Sequence, residues 1–262
     1  MRLFFMRKLV LISLLFICGL KYGLAQENQP NVIHVFVALC DNKNQGIVPV
    51  PEKLGNGQDP SSNLYWGALY GVKTFFKNSS NWNLVSSSKT TDFPILNRVV
   101  FKHVSSHTYI IADAYDGEFI KTCITSFLEA AAGNLKEETI KVDGQKLLLC
   151  QSNLVAYIGH DGLMEFDVEG NFDNENGINK DAIILACYSR SYFTPYLKRT
   201  KAKPLVWTTG LMAPEAYTLE ASIETWISGG DATEIRESAA SAYHNYQKCG
   251  LRGARGLLVT GF

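Results

Sequence analysis

The chain reads as an α/β domain with a mainly parallel sheet flanked by helices on both faces. Three observations carry that reading. Strand-like apolar runs alternate with segments of helical period along the chain. Several of the runs, such as "LVAYIG" and "AIILAC", are apolar throughout rather than alternating, as expected of strands covered on both sides. Finally, a chain of 262 residues is long enough to bury a large core in one domain.

Taken in order, "NVIHVFVALCDN" reads as a buried strand from Val32 to Leu39, ending at Cys40 and Asp41. The turn-rich "KNQGIVPVPEKLGNGQDPSS" that follows is a long loop, and long loops in compact domains are commonly functional. Asp59, Pro60 and Ser61 supply cap chemistry for a helix predicted from about Asn63 to Lys77, with Leu64, Ala68, Val72 and Phe75 on its apolar stripe. "RVVFKHVS" and "TYIIADAYDG" are two strands joined by a short turn. "GEFIKTCITSFLEAAAGN" has helical spacing and a Gly133-Asn134 stop. Strands at Leu154–Gly159 and Ala182–Cys187 follow, separated by "DVEGNFDNENGINKD", which reads as a polar surface loop. A short helix to about Thr200, a strand "KPLVWTTG", a helix opening near Pro214-Glu215 and a last helix from an Asp231/Glu234 capping box to a stop at Gly250 complete the order.

The first 25 residues are expected to form a secretory signal peptide, with a single domain over residues 26–262. Arg2, Arg7 and Lys8 make a basic front, Leu9 to Leu20 an apolar stretch short for a bilayer, and Gly23-Leu24-Ala25 a small-residue cleavage site. An uncleaved anchor is the alternative; a lipid anchor at Cys18 is disfavoured because Ile17 precedes it. The expected location is periplasmic or secreted, with no stable membrane insertion after cleavage. Basic and acidic residues balance at 25 each, and no basic block stands out, so nucleic acid is not an expected partner. Beyond the signal lie Cys40, Cys123, Cys150, Cys187 and Cys249, an odd number without C-x-x-C spacing. That argues against a disulfide scaffold or a zinc site, and leaves at least one free thiol.

Function is sought where two strands stop abruptly on chemistry-bearing residues. "NLVAYIGHDG" ends on His160 and "DAIILAC" on Cys187. In parallel sheets ligands sit at the carboxyl ends of strands, so these two ends become neighbours if their strands are adjacent. A thiol is only partly ionised near neutral pH, and an imidazole beside it can take its proton or stabilise the thiolate. The tetrahedral intermediate of acyl transfer needs main-chain N–H donors, and Gly162 and Cys187 are placed to offer them. Read singly, a strand-end cysteine is often a small buried hydrophobe and a lone histidine often only bonds a loop; the joint placement is what points to a site. Cys40 also ends a strand but has no histidine-ending partner before it, and His34 reads as packed in mid-strand.

The two blocks "LVAYIGHDG" and "AIILAC", in that order, resemble the caspase-like cysteine peptidases, a superfamily that includes legumain, gingipain, clostripain and separase. The first strand, the long loop and "NLYWGALYGVKTFF" are similar at low resolution, as is "PLVWTTGLMAPEAY" to the strand and turn that follow the nucleophile in legumain-like members. The resemblance implies a caspase-hemoglobinase-like fold, Cys187 as nucleophile, His160 as general base and acid, and Thr208, Thr209 and Glu215 at a substrate pocket. It implies a peptide or protein substrate and no cofactor or catalytic metal, with "DNENG" (Asp173 to Gly177) a weak oxygen-rich candidate for structural calcium. One departure stands out: Asp161 separates His160 from Gly162, where the family has glycine directly after histidine. The oxyanion donor is then Asp161 or Gly162, and an inactive caspase-like binding module is the alternative function. Asp41, at the end of the first strand, is geometrically conceivable as a third catalytic residue.

Overall fold

The computed structural model describes residues 29–262, so the expected signal segment lies outside the described residues. Ten strands are present: β1 (Asn31–Ala38), β2 (Trp82–Ser88), β3 (Ile95–His103), β4 (Thr108–Tyr115), β5 (Thr139–Val142), β6 (Gln145–Leu148), β7 (Leu154–Ile158), β8 (Asp181–Leu185), β9 (Lys203–Thr208) and β10 (Leu258–Val259). Among the described residues there are six helices, α1 (Val72–Asn78), α2 (Ile120–Ala132), α3 (Ser189–Thr200), α4 (Ala216–Ile227), α5 (Ala232–Gln247) and α6 (Leu251–Leu257). Eight strands form one mixed sheet in the order β10-β9-β8-β7-β1-β4-β3-β2, and β5-β6 make a separate hairpin. The central pairs β1-β7, β7-β8 and β8-β9 are parallel. The antiparallel pairs, β10-β9, β4-β3 and β3-β2, lie toward the two edges. The architecture is therefore the α/β class expected from the sequence, consistent with a caspase-like arrangement.

Alternation along the buried strands divides the core. Ile33, Val35 and Val37 of β1 point to one face with Leu154, Ala156 and Ile158 of β7, where Phe76, Leu219, Ile223 and Ala239 of α1, α4 and α5 cover them. Phe36 and Ala38 point to the other face with Val155 and Tyr157, against Ile124 and Phe127 of α2 and Phe193 and Leu197 of α3. Both sides of each central strand are thus dry, which is why these strands show no polar alternation in the sequence.

Three features differ from expectation. The helix predicted from Asn63 begins only at Val72, because the Asn63 side chain accepts the N–H groups of Cys40 and Tyr65 and donates to the carbonyls of Cys40 and Asn56. Those bonds hold residues 63–71 in turns, an alternative to helix that asparagine readily offers the backbone. The last predicted helix stops at Gln247, where Lys248 takes the left-handed conformation, and Gly250 precedes the separate α6 instead of ending α5. β2, β10 and the β5-β6 hairpin are additional strands; β5 alternates polar and apolar but is only four residues long, and the others lack a clean period-two pattern. The connection from β7 to β8 contains no α-helix, in keeping with the polar loop read there. It is nonetheless pinned: Phe172 is fully buried in the α2/α3 layer, and Asn174 Nδ2 donates to the carbonyls of Ile178 and Thr200.

Candidate active site

The register of β7 on β8 pairs Ile158 with Leu185, and Gly159 N–H continues the ladder to Leu185 O. Two residues beyond that pair stand His160 on one strand and Cys187 on the other. Parallel neighbours are spaced about 4.8 Å apart, so the register carries both chain positions to the same carboxyl edge of the sheet, while the His160 imidazole is engaged by Glu165 and the Cys187 thiol by Met212.

After His160 the chain turns immediately into a short 3-10 helix, Gly162–Met164, capped by the Asp161 side chain, whose Oδ1 accepts from Leu163 N–H at 3.1 Å. Tyr157 Oη donates to His160 O at 2.7 Å and fixes the entry to this turn. Gly162 N–H also bonds His160 O, at 3.2 Å. That engagement corrects the expectation for Gly162 as an oxyanion donor: its N–H is turned back into the loop. A side chain at 162 would displace the Phe166 ring, since a Cβ there would lie 2.5 Å from it.

The imidazole is held by a residue that sequence reading did not single out. His160 Nε2 lies 2.6 Å from Glu165 Oε1, and the same oxygen accepts from Gly46 N–H at 2.9 Å. Glu165 therefore ties the long loop after β1 to the histidine, and Gly46 is needed for it, because a Cβ at 46 would fall 2.1 Å from that oxygen. Five residues separate His160 and Glu165 across an irregular turn, so no periodicity could have linked them. The conceivable third residue, Asp41, is corrected by the structure. It accepts from Lys43 N–H, Asn44 N–H, Asn44 Nδ2 and Gln58 Nε2, and so organises its own loop. Those hydrogen bonds hold its carboxyl below the usual carboxylate range although burial, the largest single influence, opposes them.

Cys187 sits between β8 and α3, and Tyr188 makes the turn in the left-handed conformation with φ 50°. A non-glycine residue in that region marks a strained turn of the kind often found at functional sites. The thiol faces the backbone of Met212: Met212 N–H approaches Sγ at 3.4 Å, and Sγ approaches Met212 O at 3.6 Å. Burial pushes its pKa above the ordinary thiol value, the Met212 N–H pulls it down, and the Asp161 carboxyl pushes it up again.

The residues assigned to a pocket take different roles. Thr208 is fully buried, and its hydroxyl donates to Ala186 O and accepts from Ser189 N–H. Ser189 in turn donates to Ile184 O and accepts Thr208 N–H. The pair clamps β8, β9 and the start of α3, so Thr208 supports the strand end behind Cys187 instead of lining an open pocket. Thr209 is exposed and donates to Gly256 O. Glu215 precedes α4 and accepts from Tyr217 Oη and Gln247 Nε2. Tyr65, another residue the sequence did not point to, is buried and coupled electrostatically to Cys40, Cys187 and Glu215. Burial first, then Cys40, Cys187 and Glu215, hold its phenol protonated well above the ordinary range.

The remaining cysteines and histidines behave as structure. All five described cysteines are free thiols. Cys40 is buried and pushed up to about 11, chiefly by desolvation, which disqualifies it as a reactive nucleophile near neutral pH. His34 is packed in β1 with Nε2 at 2.8 Å from Asp113, itself bridged to Arg98. Asp173 in the "DNENG" loop pairs with Arg199. Among the described residues no group of three or more His, Cys, Asp or Glu is gathered as a metal site, and no helix is long and apolar enough to cross a membrane. Comparison of the chain with protein-family models, curated proteins and solved structures finds no match.

Proposed function

We propose that this chain is an exported cysteine peptidase of the caspase-like kind, acting through Cys187 and His160. The observation that supports the proposal is the register of β7 on β8, by which two neighbouring parallel strands end, at the same carboxyl edge, two residues before a histidine and two residues before a cysteine. With Nε2 engaged by Glu165, the other ring nitrogen, Nδ1, is the one that serves Cys187. In this reading Sγ attacks the carbonyl carbon of a peptide bond as its proton passes to His160. The imidazolium returns that proton to the leaving amine, and water hydrolyses the thioester by the same base. The oxyanion is served by the N–H of Cys187 and, because Gly162 N–H is engaged elsewhere, by the N–H of Asp161. No step needs a metal. Glu165 acts as a positioning residue that orients the ring.

The resting thiol is consistent with a dyad in which proton transfer accompanies attack, since burial holds Cys187 above its ordinary value. The same observation, together with the thiol's contacts to Met212, favours the second reading, an inactive module that binds peptides without cleaving them. A mixture of unstructured peptides incubated with the protein separates the two. Cleavage that disappears in Cys187→Ala, with a substrate-derived acyl adduct trapped on Cys187, supports the peptidase. Binding without cleavage, equal in wild type and Cys187→Ala, supports the module.

A further inference from the structure

Asp161, the residue by which "HDG" departs from the family pattern, is fully buried. Its Oδ1 caps Leu163 N–H, whereas Oδ2 is buried without any hydrogen-bond partner. Glu165, from its own turn, raises the Asp161 carboxyl further, and Asp161 in turn raises the Tyr157 phenol of β7 and the Cys187 thiol at the end of β8. The neighbouring His160 gives its Nε2 to Glu165. From α2 come the Ile124 side chain, close to Gly162, and Lys121, whose ammonium lies over the Phe166 ring. Cys123 of α2 is buried and influences the Tyr157 phenol. A carboxylate in such surroundings lacks both a countercharge and a full set of donors, so its neutral form is the favoured one.

We propose that Asp161 is a positioning residue that works in its protonated form: the neutral acid permits Cys187 to ionise, and the ionised carboxylate holds Cys187 as the thiol. The inference rests on the Cys187-His160 reading. When the thiolate forms, its proton goes to His160, and Asp161 keeps its own, so one site never carries adjacent thiolate and carboxylate charges. Burial, the dominant influence, holds the Asp161 carboxyl at about 7 against the opposing bond from Leu163 N–H, and Glu165 adds to the rise. Asp161 also appears among the groups that raise the Cys187 thiol. Asparagine at 161 reproduces the neutral acid and keeps an oxygen for the Leu163 cap.

The test is the rate of iodoacetamide alkylation of Cys187, read by peptide mass from about pH 6 to about pH 9, in full-length wild type, Asp161→Asn and His160→Ala. Asp161→Asn is expected to react about tenfold faster near pH 8, with its profile displaced by about one pH unit to lower pH. Coincident profiles for wild type and Asp161→Asn overturn the inference. His160→Ala reports separately: slower labelling supports the dyad, whereas an unchanged rate overturns the dyad and leaves the Asp161 effect to stand or fall on its own comparison. Should Asp161→Asn fail to fold, carboxyl-carbon NMR of wild type decides. A titration midpoint above about 6 for Asp161 supports the inference, and one near the ordinary aspartate value of about 4 refutes it.

Discussion

Replacing Asp161 by asparagine also makes a prediction about stability that needs no substrate and no assumption about catalysis. Burial holds this carboxyl at about 7 in the fold against 3.8 for an ordinary aspartate, so the native state binds the proton more tightly than the unfolded chain does. For a group raised in this way, the contribution to stability is complete below about pH 4 and is lost as pH climbs through about 7. At about 1.4 kcal/mol for each pH unit between those limits, the total loss is roughly 4 kcal/mol. Asparagine carries no such proton, so wild type and Asp161→Asn should diverge with rising pH, the variant becoming the more stable by up to roughly 4 kcal/mol above pH 8. For a domain of this size that corresponds to a difference in melting temperature on the order of 10 °C. The assay is thermal or urea unfolding of both proteins across about pH 4 to 9, scored as the difference between them so that every other titrating group cancels. A difference that is flat with pH would show that Asp161 has an ordinary affinity for its proton. A difference of opposite slope would show that an unrecognised cation stabilises the carboxylate.

Three further outcomes follow from the geometry. Glu165→Gln keeps the size of the side chain but removes the charge facing His160, and should lower peptidase kcat at least tenfold with little change in KM, while Gly46→Ala should produce a similar loss by displacing the same carboxylate; normal kcat in both variants would remove Glu165 from the site. Thr208→Val deletes the hydroxyl that serves Ala186 O and Ser189 N–H and should cost about 1–3 kcal/mol in urea unfolding, with slower alkylation of Cys187 if the strand end loosens. Asp113→Ala leaves Arg98 and His34 without their shared buried partner and should destabilise the fold by about 3–5 kcal/mol, measurable as a lower urea midpoint; the Asp113 carboxyl is held below the ordinary range by His34 and Arg98 in spite of its burial, so this contribution in wild type is present near neutral pH and fades only in acid.

Much of the architecture could be read from local pattern because each central element agrees with its environment. The strands β1, β7, β8 and β9 are apolar on both faces because helices cover both faces, and α2 and α5 carry their own stop or start chemistry, the Gly133 left-handed cap and the Asp231/Glu234 box. The placement of His160 and Cys187 at two strand ends was legible for the same reason, since chain direction and sheet order follow from a run of buried parallel strands. What the sequence by itself could not decide were the contacts between residues with no fixed spacing. Only the folded chain brings Gly46 and Glu165 to the imidazole. Only it turns Gly162 N–H back onto its own loop and couples Tyr65 to Glu215 and the thiols. Burial of the Thr208 hydroxyl behind the cysteine is likewise a tertiary fact. The same holds for the charge state of Asp161: the letter between His160 and Gly162 is an acid in the sequence, but whether it is an anion depends on desolvation and neighbouring groups, and those exist only once the sheet edge is assembled.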